Sequence, residues 1–331
     1  MTETEPATDW WIFAGTGEPH DRIDELPAPP PWRVFRGEPA LPSPPPSTAH
    51  ADVERAVTYR PDRRTVQQVN AALYLRRPLL VTGPPGTGKT TLAYAVAHEL
   101  SLGPVLRWSI SSQVTLRDGL YQYDPLSRLQ DANRRADEAE DIGTYLRLGP
   151  LGTAMLPYPR PRVLLIDEID KSDLDLPNDL LTIFEDGSYE IPELVRATAP
   201  TADVLDAGGT ERVTITGGRV TCRAFPLVVM TSNGEREFPP AFLRRCITVA
   251  IPQPTGAELN RIIAAHLPDM VDSSGEVIEQ FLVRRSAGEL ATDQLLNAIY
   301  LTQVTGATDE RTLAADLMPY LSTPLPDPDA A

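Results

Sequence analysis

Five short stretches of this chain are apolar at successive positions instead of alternate ones: "RPLLVTG", "PVLRWSI", "RVLLIDE", "FPLVVMTS" and "CITVAIP". Strands of that kind are buried on both faces, as in a parallel sheet covered by helices. Helical stretches lie between them. "TTLAYAVAHELSLG" places Leu92, Val96 and Leu100 on one face, with Gly103 as its C-cap. "TVQQVNAALYL" predicts an earlier helix with Val66, Val69, Leu73 and Leu75 near one face. The alternation predicts an α/β fold.

The first apolar run leads into "GPPGTGKT", Gly83 to Thr90, and a helical stretch leads out. That context is the one in which G-x-x-x-x-G-K-[ST] wraps phosphates. The predicted ATP loop comprises Gly83, Pro84, Pro85, Gly86, Thr87, Gly88, Lys89, Thr90 and Thr91. Glycines let backbone N–H groups approach the phosphates, and the helix N-terminus adds its positive end. Lys89 is expected to reach the β- and γ-phosphates, and the Thr90 hydroxyl to take Mg²⁺.

"VLLIDEID" is an apolar strand ending in two acids. Asp167 is expected to hold Mg²⁺ through its water shell. Glu168, one residue on, points elsewhere and is expected to orient or deprotonate the attacking water. Asn233 ends another strand-like run, at the carboxyl end where parallel sheets line their ligand crevice. An amide there can bond both the γ-phosphate and the lytic water; a turn role before Gly234 is the alternative. The chain has no Asn-Lys-x-Asp guanine motif, so ATP is favoured over GTP. A small-molecule kinase needs no acid pair to prepare water.

The formal charge of -16 argues against wholesale nucleic-acid binding, where basic surface supplies most of the affinity. No run of about 18 apolar residues suggests a membrane span, and "MTETEPATDWWIF" lacks the basic and apolar regions of a signal peptide. The two cysteines, Cys222 and Cys246, suit a reducing cytoplasm. The four histidines are scattered, so no structural zinc is expected.

Residues 1–55 are read as a separate arm. Residues 1–60 hold eleven of the 34 prolines and three of the four tryptophans, Trp10, Trp11 and Trp32. Either the arm is a floppy leader, or it is extended and docks its aromatics on the body or on a partner. An α/β core is expected over 56–254, a helical lid over 255–323 and a tail over 324–331. "AELNRIIAAHL", "EVIEQFLVRR", "TDQLLNAIYLTQV" and "ERTLAADLMPYL" supply the lid helices. The charge run 133–143 is expected to be a solvated helix or loop. "VTITGGRVTC" predicts a β-hairpin turning at Gly217 and Gly218.

Over residues 56–320 the chain resembles the AAA+ ATPases, and among them the MoxR-like group. "GPPGTGKTT" resembles the family's Walker A, "LLIDEID" its Walker B and "VVMTSN" its sensor-1 strand. "GLYQYDP…YLRLGPLGTAML" resembles the loop that MoxR-like proteins insert into their second helix, and "NDLLTIFEDGSYEI" the helix and hairpin after their Walker B. "PPAFLRRC" resembles the segment that carries the arginine finger, which puts Arg245 in that role; Arg244 either assists or faces solvent. The resemblance implies a P-loop sheet sandwiched by helices with a small helical lid. It implies a ring, usually of six subunits, with ATP at each interface. It also implies ATP-driven remodelling of protein partners, von Willebrand factor A proteins among them; such a partner would be a separate polypeptide. A nucleotide-gated switch with slow turnover and a DNA-directed motor are the other readings. "ELATDQLLNAIYL" lacks the sensor-2 arginine common in family lids, with Arg284 and Arg285 lying just upstream.

Overall fold

The computed structural model describes residues 10–134, 141–271, 274–285, 290–305 and 317–318. They fall into two compact units. One is built from the residues up to Val81 and from Thr90–Val249, the other from Thr82–Lys89 and the residues from Ala250 on.

The described residues form the strands β1 Leu79–Thr82, β2 Leu106–Ser109, β3 Tyr121–Tyr123, β4 Leu146–Leu148, β5 Val163–Asp167, β6 Ser188–Glu190, β7 Thr201–Leu205, β8 Arg212–Thr216, β9 Arg219–Thr221, β10 Leu227–Ser232 and β11 Ile247–Ala250. All five apolar runs become strands of one sheet, ordered β11-β1-β10-β5-β2. The β5 strand pairs in parallel with β10 on one side and β2 on the other, with Ile166 opposite both Met230 and Trp108. Every residue of β5 and β10 is buried, whereas β2 and β11, at the edges, are only partly so. The sequence follows that geometry: the inner strands are apolar up to their carboxyl ends, where Asp167 and Thr231 stand, and the edge strand β2 carries Arg107 in its middle.

The helix Lys89–Glu99 is buried on nearly all sides, Leu92, Ala93 and Val96 fully. It ends at Glu99 and is closed by Ser101, two residues before Gly103. Ser101 has φ +53°, its N–H donates to the His98 carbonyl, and the Leu102 N–H donates to the Ala97 carbonyl. This is a Schellman closure with serine in the place usually taken by glycine. In the helix Arg63–Leu75, Val66, Val69 and Leu73 are buried, but Leu75 is 40% exposed because the chain is already turning through a left-handed Arg76.

The segment 119–156 carries β3 and β4, which pair antiparallel and join β7 and β8 in a second sheet ordered β3-β4-β7-β8. The turn at Gly217 and Gly218 has positive φ at both residues, but the strands it joins do not form the expected hairpin. β8 pairs with β7, and β9 pairs with β6 after the helix Leu176–Asp186. The turn's own polar groups are engaged elsewhere: the Gly217 N–H on the Pro200 carbonyl, the Gly218 carbonyl on the Ile191 N–H. Part of the charge run 133–143 lies outside the described residues.

The described part of the Pro-rich arm is docked on the body. Ile12 and Phe13 are buried, and both their N–H groups donate to Oδ1 of Asn70, at 2.7 and 3.0 Å. Asn70 returns a bond from Nδ2 to the Phe13 carbonyl. The fully buried Glu99 accepts the N–H groups of Ala14, Gly15 and Gly17. Trp10 sets its ring edge-on to Tyr74, whereas Trp32 is 75% exposed. The anchors include the buried Ile12, Phe13, Ile23 and Arg33, with Trp11 under Arg63 and Phe35 stacked on Phe225, while Trp32 is left outside. A helix at His50–Thr58 runs across the expected boundary between residues 55 and 56.

In the second unit, helices Gly256–His266, Gly275–Arg285 and Thr292–Thr305 enclose Leu259, Ile263, Phe281, Leu295 and Ile299. Thr255 and Glu258 form a reciprocal capping box at the start of the first. Most of the expected "ERTLAADLMPYL" helix lies outside the described residues.

Candidate functional site

The carboxyl end of β5 carries a polar cluster centred on Asp167. Its Oδ1 accepts from the hydroxyls of Thr90 (2.9 Å) and Thr231 (2.7 Å), and its Oδ2 from the Arg107 guanidinium at 2.8 Å. Parallel pairing produces this convergence, because Thr231 follows Met230, which lies opposite Ile166. Thr90 stands in the first turn of the helix Lys89–Glu99.

Glu168 leaves the strand in a left-handed conformation, φ +61°. For a glutamate such backbone costs about 1–3 kcal/mol and persists only where surroundings enforce it. Here Thr231 enforces it: the hydroxyl that donates to Asp167 also accepts the Glu168 N–H at 2.9 Å. The Glu168 carboxylate, thrown away from Asp167, meets the Lys171 ammonium at 3.0 Å. That hydrogen bond raises the Lys171 pKa.

Asn233 follows β10 and is half-buried. Its N–H donates to Oδ2 of Asp170 at 2.8 Å, and the Glu235 N–H donates to the same oxygen at 3.2 Å. Asp170, 5% exposed, thus ties the Asn233 loop to the segment that follows Glu168. Its Oδ1 is buried without a hydrogen-bond partner.

Arg244 and Arg245 are not brought to these acids. Arg245 donates from Nε to Glu185 at 2.8 Å and from Nη1 to the Ala241 carbonyl. Arg244 is exposed, and its carbonyl accepts from Arg77.

The loop from Gly83 to Lys89 belongs to the second unit. Lys89 is 7% exposed, and its Nζ donates to the carbonyls of Gly83 and Pro84, both at 2.7 Å. Thr87 donates to the Pro84 carbonyl. Gly86 and Gly88 have φ +71° and +84°. A Cβ on Gly86 would stand 2.7 Å from the Thr292 nitrogen, and one on Gly83 2.2 Å from the Ile251 carbonyl oxygen. No other residue type fits either place without displacing backbone. Pro85 and Thr91 are half-buried.

The two arginines just upstream, which could substitute for a sensor-2 arginine, each bond a main-chain carbonyl. Arg285 donates to the Pro254 carbonyl and lies over the Phe281 ring; Arg284 donates to the Met318 carbonyl. Ala291 and Thr292 are what approach Gly86.

Sequence reasoning missed Arg107, Thr231, Asp170, Lys171 and Glu185. Thr231 had a signal, a hydroxyl inside an otherwise apolar buried run. Arg107 had one too, a charge in a strand of the same sheet.

A family model described as AAA domain (dynein-related subfamily) matches residues 78–246, just over half of the chain. Among solved structures, the chain is similar to the crystal structure of NtrX from Brucella abortus in complex with ADP, at 15% identity and a TM-score of 0.42. That match covers 82% of this chain and 54% of the NtrX chain, so this chain spans about half the length of the structure it matches. Among the described residues, no helix is long and apolar enough to cross a membrane.

Proposed function

This chain belongs to the AAA domain family, in its dynein-related subfamily, and from that premise we propose that it binds ATP with Mg²⁺ and hydrolyses it to drive remodelling or assembly of protein partners. The observation that carries the reading is the 2.9 Å bond between Thr90 and Asp167. A hydroxyl and a carboxylate meeting at a strand end are the hard oxygen donors that suit Mg²⁺. When bound, the metal supplies positive charge against the phosphate oxygens.

The chain's own residues divide the remaining work. Gly83, Gly86 and Gly88 turn the loop so that backbone N–H groups face phosphate, and Lys89 adds a point charge. Glu168 accepts a proton from the attacking water, and Thr231 fixes the backbone turn that aims it. Asn233 orients that water, held by Asp170 through its N–H. Arg245 reaches a neighbouring subunit's γ-phosphate in a ring of six.

The MoxR-like assignment is supported by the segment 119–156, whose strands β3 and β4 stand apart from the main sheet. In that reading the client or co-worker is a separate polypeptide, of the von Willebrand factor A class. A second reading, a nucleotide-gated scaffold with slow turnover, is favoured by the stretch that brings Ala291 and Thr292 to Gly86, whose sequence "ELATDQLLNAIYL" has no arginine. Steady phosphate release that accelerates with partner favours the remodeller; ATP-dependent assembly with little release favours the scaffold.

Lys89→Ala tests the binding loop. The variant is expected to lose affinity for a fluorescent ATP analogue, because the phosphates lose their main cation. Retained micromolar affinity contradicts the assignment.

A further inference from the structure

Arg107 is absent from the mechanism above, yet its guanidinium lies 2.8 Å from Oδ2 of Asp167. We propose that Arg107 is a built-in counter-ion of the metal-binding acid, which a divalent cation must displace before it engages Asp167. This rests on the reading of Thr90 and Asp167 as the Mg²⁺ site.

Three features of the cluster support it. First, Arg107 is not needed to orient the acid. The hydroxyls of Thr90 and Thr231 already fix Oδ1, and the Asp167 carbonyl accepts the Ile110 N–H at 3.0 Å. What Arg107 adds is charge. Second, the Asp167 side chain is only 10% exposed, so water screens this charge poorly and the acid is strongly biased toward holding a cation. Third, the Arg107 side chain is 49% exposed, so it has solvent to swing into when it leaves. Its neighbour Trp108 is 6% exposed and anchors the strand, so only the long arginine side chain needs to move. An arginine never loses its charge, so the competition with a metal is present at every working pH. The consequence is an acid that is neutralised in the resting chain and takes its metal only against a resident cation.

Replacing Arg107 by glutamine removes the charge and leaves a shorter, neutral hydrogen-bonding side chain; Arg107→Lys keeps the charge. The measurement is Mn²⁺ affinity by the loss of the free-ion paramagnetic resonance signal, in the full chain without nucleotide, since free ADP would itself capture the ion. Thermal unfolding is followed alongside to establish that each variant is folded. Arg107→Gln is expected to bind Mn²⁺ about tenfold more tightly than the parent, the scale of one screened charge repulsion. Arg107→Lys is expected to stay near the parent, and Asp167→Asn to weaken binding. Unchanged or weaker Mn²⁺ binding in Arg107→Gln, with the loss in Asp167→Asn present, overturns the counter-ion role alone. Unchanged binding in Asp167→Asn overturns the metal-site reading, and the proposal falls with it.

Discussion

Within one chain, Arg245 donates from Nε to Oε1 of Glu185 at 2.8 Å, while the other oxygen of that carboxylate lies 3.8 Å from Nη1 of Arg33. The Arg245 side chain is 38% exposed and Glu185 51% exposed. A pair that open to solvent is worth about 0–1 kcal/mol, enough to park an arginine but not to lock it. Arg33 differs. It is 7% exposed, bonded to the carbonyls of Arg76 and Phe184 and stacked on Phe225, so it stays where it is.

If Arg245 is the finger, Arg245→Ala keeps ATP and loses about 10³–10⁵ in hydrolysis rate, measured as phosphate release beside nucleotide binding. Mixing Arg245→Ala with Glu168→Gln is expected to restore some turnover, since one kind of interface then has both residues intact. Normal hydrolysis by Arg245→Ala alone removes the assignment and moves attention to Arg244. Glu185→Gln frees the parked side chain and is expected to raise turnover by up to about fivefold.

Much of this was legible in the sequence because burial leaves a mark. The inner strands β5 and β10 touch core on both faces, so Val163–Asp167 and Leu227–Ser232 are nearly unbroken apolar runs. The strands β3 and β4 were not legible: three residues each, with polar residues between apolar ones, they make no pattern above a loop. The pairing at Gly217 and Gly218 was misjudged because turn chemistry is local, whereas the partners of β8 and β9 come from distant segments. The motif from Gly83 to Thr90 was plain from residue type and spacing. The polar partners Arg107, Asp170 and Glu185 were not, because each meets its acid or loop only after long-range pairing.

The docked arm predicts a stability effect of its own. Asn70 is fully buried, accepts two backbone N–H groups of the arm and donates to Phe13. Asn70→Ala leaves those groups without partners and is expected to cost about 3 kcal/mol in denaturant unfolding. ATP binding by the folded variant is expected to stay. An unchanged unfolding midpoint would show that the arm contributes nothing there.

Burial pushes the thiols of Cys222 and Cys246 up to about 12, from an ordinary 9.0. The raised folded value means that protonated thiols favour the folded chain. Their contribution is complete below pH 9.0 and is lost as pH rises from there to about 12. Stability is therefore expected to fall above pH 9.0. At neutral pH a thiol-titrating disulfide reagent is expected to modify neither cysteine until denaturant is added. Rapid labelling of the native chain contradicts the buried placement.

The most direct test of the ATPase reading is phosphate release by Glu168→Gln, with ATP binding measured on the same preparation. The amide keeps the length of the side chain, and the left-handed turn at residue 168 is held by Thr231 through backbone, so the fold of the site is expected to survive. What is lost is the group that accepts a proton from water. The variant is expected to bind ATP as the parent does and to release phosphate about 10²–10⁴-fold more slowly. Phosphate release at the parental rate, with ATP bound, would contradict the account.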